Sequence, residues 1–213
     1  LYPGTTQLSE TEMKHIPLAA GLALGAALFA GTAQAQVFSP PFQSPIPASD
    51  FGVYVSDIGD VAVEGIWRRP ARGGSDIGIR AGFADLGDGA LMLGLETRNP
   101  VVLAGAPIGL AFTAAGQGVI GEGTSLLGGQ VGFSAGQRIP AGNFSVTPFI
   151  HPRLALVADL SDDNDTVDGE NEVDLDVRAD VGADFDFAGG LSLRLDINLA
   201  DGANWGLGLA WRP

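Results

Sequence analysis

The sequence has no cysteine, and its single lysine is Lys14. Without thiols, neither a disulfide framework nor a thiolate metal site can form. Every other basic residue is arginine. Its planar fork binds two carboxylate oxygens and stays charged in an enclosed space. Charge is sparse, at 17% of 213 residues, yet the formal net charge is −14. Phosphate repels so acidic a chain, which argues against nucleic acid as a partner. Histidine occurs only at positions 15 and 151, so neither a metal nor another cofactor is expected. Beyond residue 35 there is no ~18-residue apolar run free of turn residues, and no convincing helical periodicity. Glycine, by contrast, is abundant at 32 residues, and hydrophobic residues make up 46%. The length suggests one domain.

The N-terminal region reads as an address. "MKHIPLAAGLALGAALFAGTAQAQ" has a basic start at Lys14, an apolar stretch from Leu18 to Ala30 and a small-x-small site at 33–35. Residues 13–35 are thus expected to be a secretory signal peptide cleaved before Gln36. Residues 1–12 read as upstream translation. "QVFSPPFQSPIPASD", residues 36–50, is proline-rich and predicts an extended leader outside any core.

From residue 51 onward, apolar and polar residues alternate with period two, and Gly- or Asp-rich turns intervene. Strands are expected near 51–56, 61–69, 76–85, 90–98, 106–114, 126–137, 144–158, 172–187, 190–199 and 204–212. "EVDLDVRADVGADFDF" (172–187) alternates throughout, far beyond the usual strand of ~5–6 residues. One face of this pattern carries Ile77, Ile79, Phe83, Leu93, Leu95, Leu207 and Leu209. The other carries Glu64, Arg80, Glu96, His151, Arg153, Asp174, Asp176, Arg178, Asp180, Asp184, Arg194 and Asp196. Pro148 and Pro152 fall inside one expected strand, where a bulge or distortion is anticipated.

Two architectures fit such a chain. In a soluble barrel or sandwich the apolar face points inward. In a transmembrane barrel the apolar face meets lipid and the charges pair in the lumen. Strand length favours the second, since ~9–11 tilted residues cross a bilayer. Trp67, Trp205 and Trp211 near strand ends suit an interfacial belt. The turns agree: the first, third, fifth, seventh and ninth are acidic, whereas the second, fourth and sixth bear arginine. That alternation requires successive turns at opposite ends. The expected fold is therefore a closed, antiparallel, up-and-down transmembrane β-barrel over 51–213. Ten strands are expected, or eight if 51–69 does not pair.

This pattern resembles the small bacterial outer-membrane β-barrel family that includes the transmembrane domain of outer-membrane protein A. The resemblance implies an outer-membrane location, with lipid and the barrel-insertion machinery as partners and acidic turns outside the cell. It implies a structural, adhesive or surface-interaction role with a filled, charged lumen, and an extracellular ligand of unknown identity. A narrow porin-like channel is the alternative, and a secreted soluble barrel the second. The enzymes among such barrels pair a His with a nearby Ser, or use an Asp-x-His step. His151 has no such step, and Ser145 lies six residues away, so no enzymatic activity and no catalytic residue are expected. The acidic stretch 161–172 does not match a calcium loop and reads as a solvated loop.

Overall fold

The computed structural model describes residues 40–57, 61–85, 89–161, 173–199 and 204–213. The expected upstream segment and signal peptide, and most of the acidic stretch 161–172, lie outside the described residues. Among the described residues eleven strands follow one another: β1 Asp50–Asp57, β2 Val61–Pro70, β3 Asp76–Ala84, β4 Ala90–Val101, β5 Gly109–Gly121, β6 Thr124–Gly136, β7 Ile139–Ala141, β8 Phe144–Asp159, β9 Val173–Phe187, β10 Leu191–Asn198 and β11 Trp205–Trp211. Each pairs antiparallel with its sequence neighbour, except that β6 passes over β7 to pair with β8. β1 pairs with β11 from Phe51↔Trp211 to Ser56↔Gly206 and closes the ring. The result is a closed barrel of ten strands. The short β7 lies outside it, held only along the start of β8. Ten strands, and not eight, is therefore the count.

The up-and-down order puts alternate turns at opposite ends. Asp57, Asp85, Glu122 and Asp159 lie at or beside one set of turns, and Arg69, Arg72 and Arg138 at or beside the other. Arg212 follows β11 at the second end, where β1 also begins. The barrel thus has an acidic end and an arginine end.

Alternation decides which side chains face in. β3 reads buried at Asp76, Gly78, Arg80, Gly82 and Ala84, and exposed between them. Ile77, Ile79, Phe83, Leu93, Leu95, Val177, Leu207 and Leu209 stand exposed on the outer wall. Arg68, Arg80, Arg98, Arg178 and Arg194 are among the largest fully buried side chains. Apolar residues are thus outside and charges inside, as the transmembrane pattern anticipates. Towards the acidic end the interior closes over Ala62, Ala84, Ala90, Met92, Val119 and Leu126.

One expectation is met in part and one needs correction. At Pro148 and Pro152 the structure has a distortion of the ladder and no bulge. The β8–β9 register is constant through both. Opposite Pro152 and His151, the β6–β8 ladder omits Phe133 and Ser134 and then resumes in the same register. The missing N–H therefore produces a gap in the ladder with no inserted residue.

The correction concerns the leader. Residues 40–45 are buried, and the segment runs inside the barrel. The Ala48 N–H donates to Asp76 at the arginine end, and the Phe42 N–H to Asp196 near the acidic end. The stretch is extended, as its prolines dictate, but it occupies the lumen.

Candidate functional site

The site is the lumen itself. A confined arginine or carboxylate must find a partner, because removing a charge from water costs several kcal/mol per ion. Glu64, Arg68, Arg80 and Glu96 come from consecutive strands β2, β3 and β4 at inward positions. Arg80 donates through Nη2 to Glu64 and lies 3.4 Å from Glu96 through Nη1. Arg68 Nε donates to the other oxygen of Glu96 at 2.6 Å. Gln117 Nε2 completes the set, donating to Glu64 at 2.7 Å.

Tyr54 links this chain of charges to the next. Its hydroxyl accepts from Arg68 Nη1 at 2.9 Å and from Arg194 Nη1. Arg194 also donates to Asp50 and lies 3.6 Å from Asp184. Space for the phenol ring is provided by glycine: a Cβ at Gly208 would collide with it, and one at Gly52 would approach within 2.6 Å. At the arginine end, Arg98 grips both oxygens of Asp76. Asp186 accepts from Ser192 at 2.7 Å and from Arg212 at 2.6 Å.

A second cluster sits across the lumen. Arg153 forks onto Asp180 at 2.7 and 3.1 Å and donates to Gln130 at 2.6 Å. His151 lies 3.2 Å from Asp180 through Nδ1 and 2.8 Å from Thr113 Oγ1 through Nε2. Hydroxyl, imidazole and carboxylate thus stand in the order of a proton relay. Thr113, His151 and Asp180 are all buried, however, and Arg153 already engages both oxygens of the carboxylate. This hydrogen-bond chain satisfies buried polar groups.

Ten of the twelve expected lumenal residues are buried: Glu64, Arg80, Glu96, His151, Arg153, Arg178, Asp180, Asp184, Arg194 and Asp196. Asp174 and Asp176 are not. Among the described residues β10 pairs with β9 from Asp180 to Asp186, and the inward positions Asp174 and Asp176, which precede this pairing on β9, are half-exposed. Asp176 has a side chain 44% exposed and pairs with Arg178 at 2.7 Å. Among the described residues Asp174 has no ion pair. Trp67, Trp205 and Trp211 are exposed on the outer wall. Phe51 sits between Trp67 and Trp211 in register, which makes an aromatic row at the arginine end.

Asp50, Tyr54, Asp76, Thr113 and Gln117 were not among the expected residues. For Asp50 the signal is one step of alternation, through Asp50, Gly52, Tyr54 and Ser56 on the inner face of β1.

Comparison with protein-family models, with curated proteins and with solved structures finds no match to this chain.

Proposed function

We propose that this protein is a bacterial outer-membrane β-barrel, exported by the cleaved segment 13–35. Its role is structural, adhesive or surface-interacting, with no enzymatic activity. The carrying observation is the inverted polarity of the barrel. Its outer wall is a belt of Leu, Val, Ile and Phe, and its interior holds fully buried arginines. In water that arrangement would expose a contiguous apolar surface far beyond the few hundred Å² that soluble monomers show. In a bilayer it is the stable one, because a closed barrel pairs its backbone between neighbouring strands and leaves no edge.

The aromatic row of Trp67, Phe51 and Trp211 supports an interface at the arginine end. β1 begins and β11 finishes at that end, which is the periplasmic side in this reading. The acidic turns then face outward as the interacting surface. The lumen holds ion pairs and residues 40–48, which favours a closed barrel over an open diffusion channel.

The test uses the absence of cysteine. Single cysteines introduced at Asp57, Glu122 and Arg72 are labelled on intact cells with a membrane-impermeant maleimide. Labelling at Asp57 and Glu122 but not at Arg72, with heat-modifiable mobility in the membrane fraction, is the expected result. Recovery in the periplasm or medium without detergent would sink the reading.

A further inference from the structure

We infer that the lumen is a binding site for an extended, proline-rich peptide, and that residues 40–49 are its tethered occupant. The peptide site rests on the barrel geometry alone. Its effect on conductance rests also on the membrane reading above.

The lumen wall reads the segment through its backbone. Arg80 donates to the Pro41 carbonyl at 3.4 Å, Arg68 to that of Phe42 at 3.3 Å and Arg98 to that of Ser44 at 3.2 Å. The N–H groups of Phe42 and Ala48 donate to Asp196 at 2.7 Å and Asp76 at 2.8 Å. Prolines at 40, 41, 45 and 47 remove four donors that the lumen would otherwise have to satisfy. They also preset an extended chain, which lowers the entropy lost on binding.

Selectivity comes from one seat. The Phe42 ring packs on Tyr54 at 4.5 Å between centroids, beside Ile66. A Cβ at Gly206 would strike that ring and would lie 2.8 Å from Pro40. The wall is thus bare where the peptide is bulky.

Two features make this a site and not simply a core. The ten-strand ring closes by β1–β11 pairing, and residues 40–49 contribute no ladder bond. The guanidiniums that touch the segment each keep a carboxylate of their own: Arg68 with Glu96, Arg80 with Glu64 and Arg98 with Asp76. Departure of the segment strands none of these three arginines without a countercharge. An exogenous proline-rich strand entering from the arginine end could then take the same contacts.

The full chain is used for the test. A protease site is placed after Ser49, an exposed residue, and the folded protein is cut in detergent micelles. A fluorescent synthetic peptide of sequence PPFQSPIPAS is then titrated. Saturable binding to cut protein and none to uncut protein is expected, since the tethered copy holds the site. The peptide carrying Phe42→Ala should bind about tenfold more weakly. A fragment that a large excess of labelled peptide cannot exchange, or equal binding to cut and uncut protein, overturns the inference. If the inserted site prevents folding, Gly206→Leu in the uncut chain serves instead. Amide exchange over 42–48 should then speed by about tenfold or more, with β1 and β11 still protected, an aromatic contact being worth about that factor. Unchanged protection overturns the inference. In planar bilayers the cut protein should show current steps that the peptide closes. Silence there, with binding intact in micelles, counts against the membrane reading and leaves the peptide site standing.

Discussion

The backbone N–H of Phe42 donates to Asp196 Oδ2 at 2.7 Å, joining residues 154 positions apart. Phe42 is also the one non-glycine residue with positive φ among the described residues, at 52°. A bulky side chain in that region is strained by roughly 1–3 kcal/mol. Its N–H is fixed by Asp196, its carbonyl by Arg68 and its ring by Tyr54. Three anchors on one residue hold the conformation that its sequence resists.

Asp196→Leu should therefore free the segment, whereas Asp196→Asn should keep it, since an amide oxygen can still accept. A hydrogen bond of this kind contributes ~0.5–1.5 kcal/mol net. Hydrogen exchange at the Phe42 amide should rise steeply in the Leu variant and little in the Asn variant. Equal exchange in both would show that Asp196 does not anchor the segment.

Arg80 stands between Glu64 and Glu96. Arg80→Met would leave Glu64 buried with only Gln117 as a partner. Removing one member of a buried pair costs ~3–5 kcal/mol. Urea unfolding from micelles should show a loss of that order. The double change Arg80→Met with Glu64→Gln should recover much of it, because it is the uncompensated charge that costs. A double variant no better than the single would refute the pairing.

Most strands were legible because their two faces differ sharply. The fifth was not: it was expected at 106–114 and runs Gly109–Gly121. Residues 114–118 are Ala, Ala, Gly, Gln and Gly, so small side chains on both faces erase the period-two signal. The lumenal segment was invisible for a different reason. Proline dictates an extended shape but not a location. The trace it leaves lies elsewhere, in Tyr54 and Ile66. These are bulky ring and aliphatic side chains on inner faces of β1 and β2 that otherwise carry small or polar residues, and the segment is what they pack against. For Asp174 and Asp176, alternation gave the correct face, but a period carries no degree of burial.

Asp174 and Asp180 now make a pair of opposite expectations. Asp174→Leu should change stability little, within the ~0.5 kcal/mol typical of surface sites, because Asp174 is half-buried and without an ion pair among the described residues. Asp180→Leu would strip Arg153 of its carboxylate and His151 of its Nδ1 partner. A loss of ~3–5 kcal/mol is expected. Midpoints of chemical unfolding for the two variants settle it. Similar losses at both positions would mean that the mouth of the barrel is closed around Asp174 as well.

Depth in the bilayer supplies the last prediction. Leu209 lies midway along β11, between Trp205 and Trp211, and is exposed on the outer wall. Val61 opens β2 at the acidic end and is equally outward. In the membrane reading, Leu209 sits near the bilayer midplane and Val61 near an interface. An arginine costs ~2–4 kcal/mol at the midplane and ~0–1 near the interface. Leu209→Arg should therefore depress folding into liposomes strongly, and Val61→Arg only slightly. Folding yield is read from heat-modifiable mobility at matched lipid ratios. A soluble barrel offers both positions to water, and each arginine would then be tolerated alike. Equal yields for the two variants would place the apolar belt outside any bilayer.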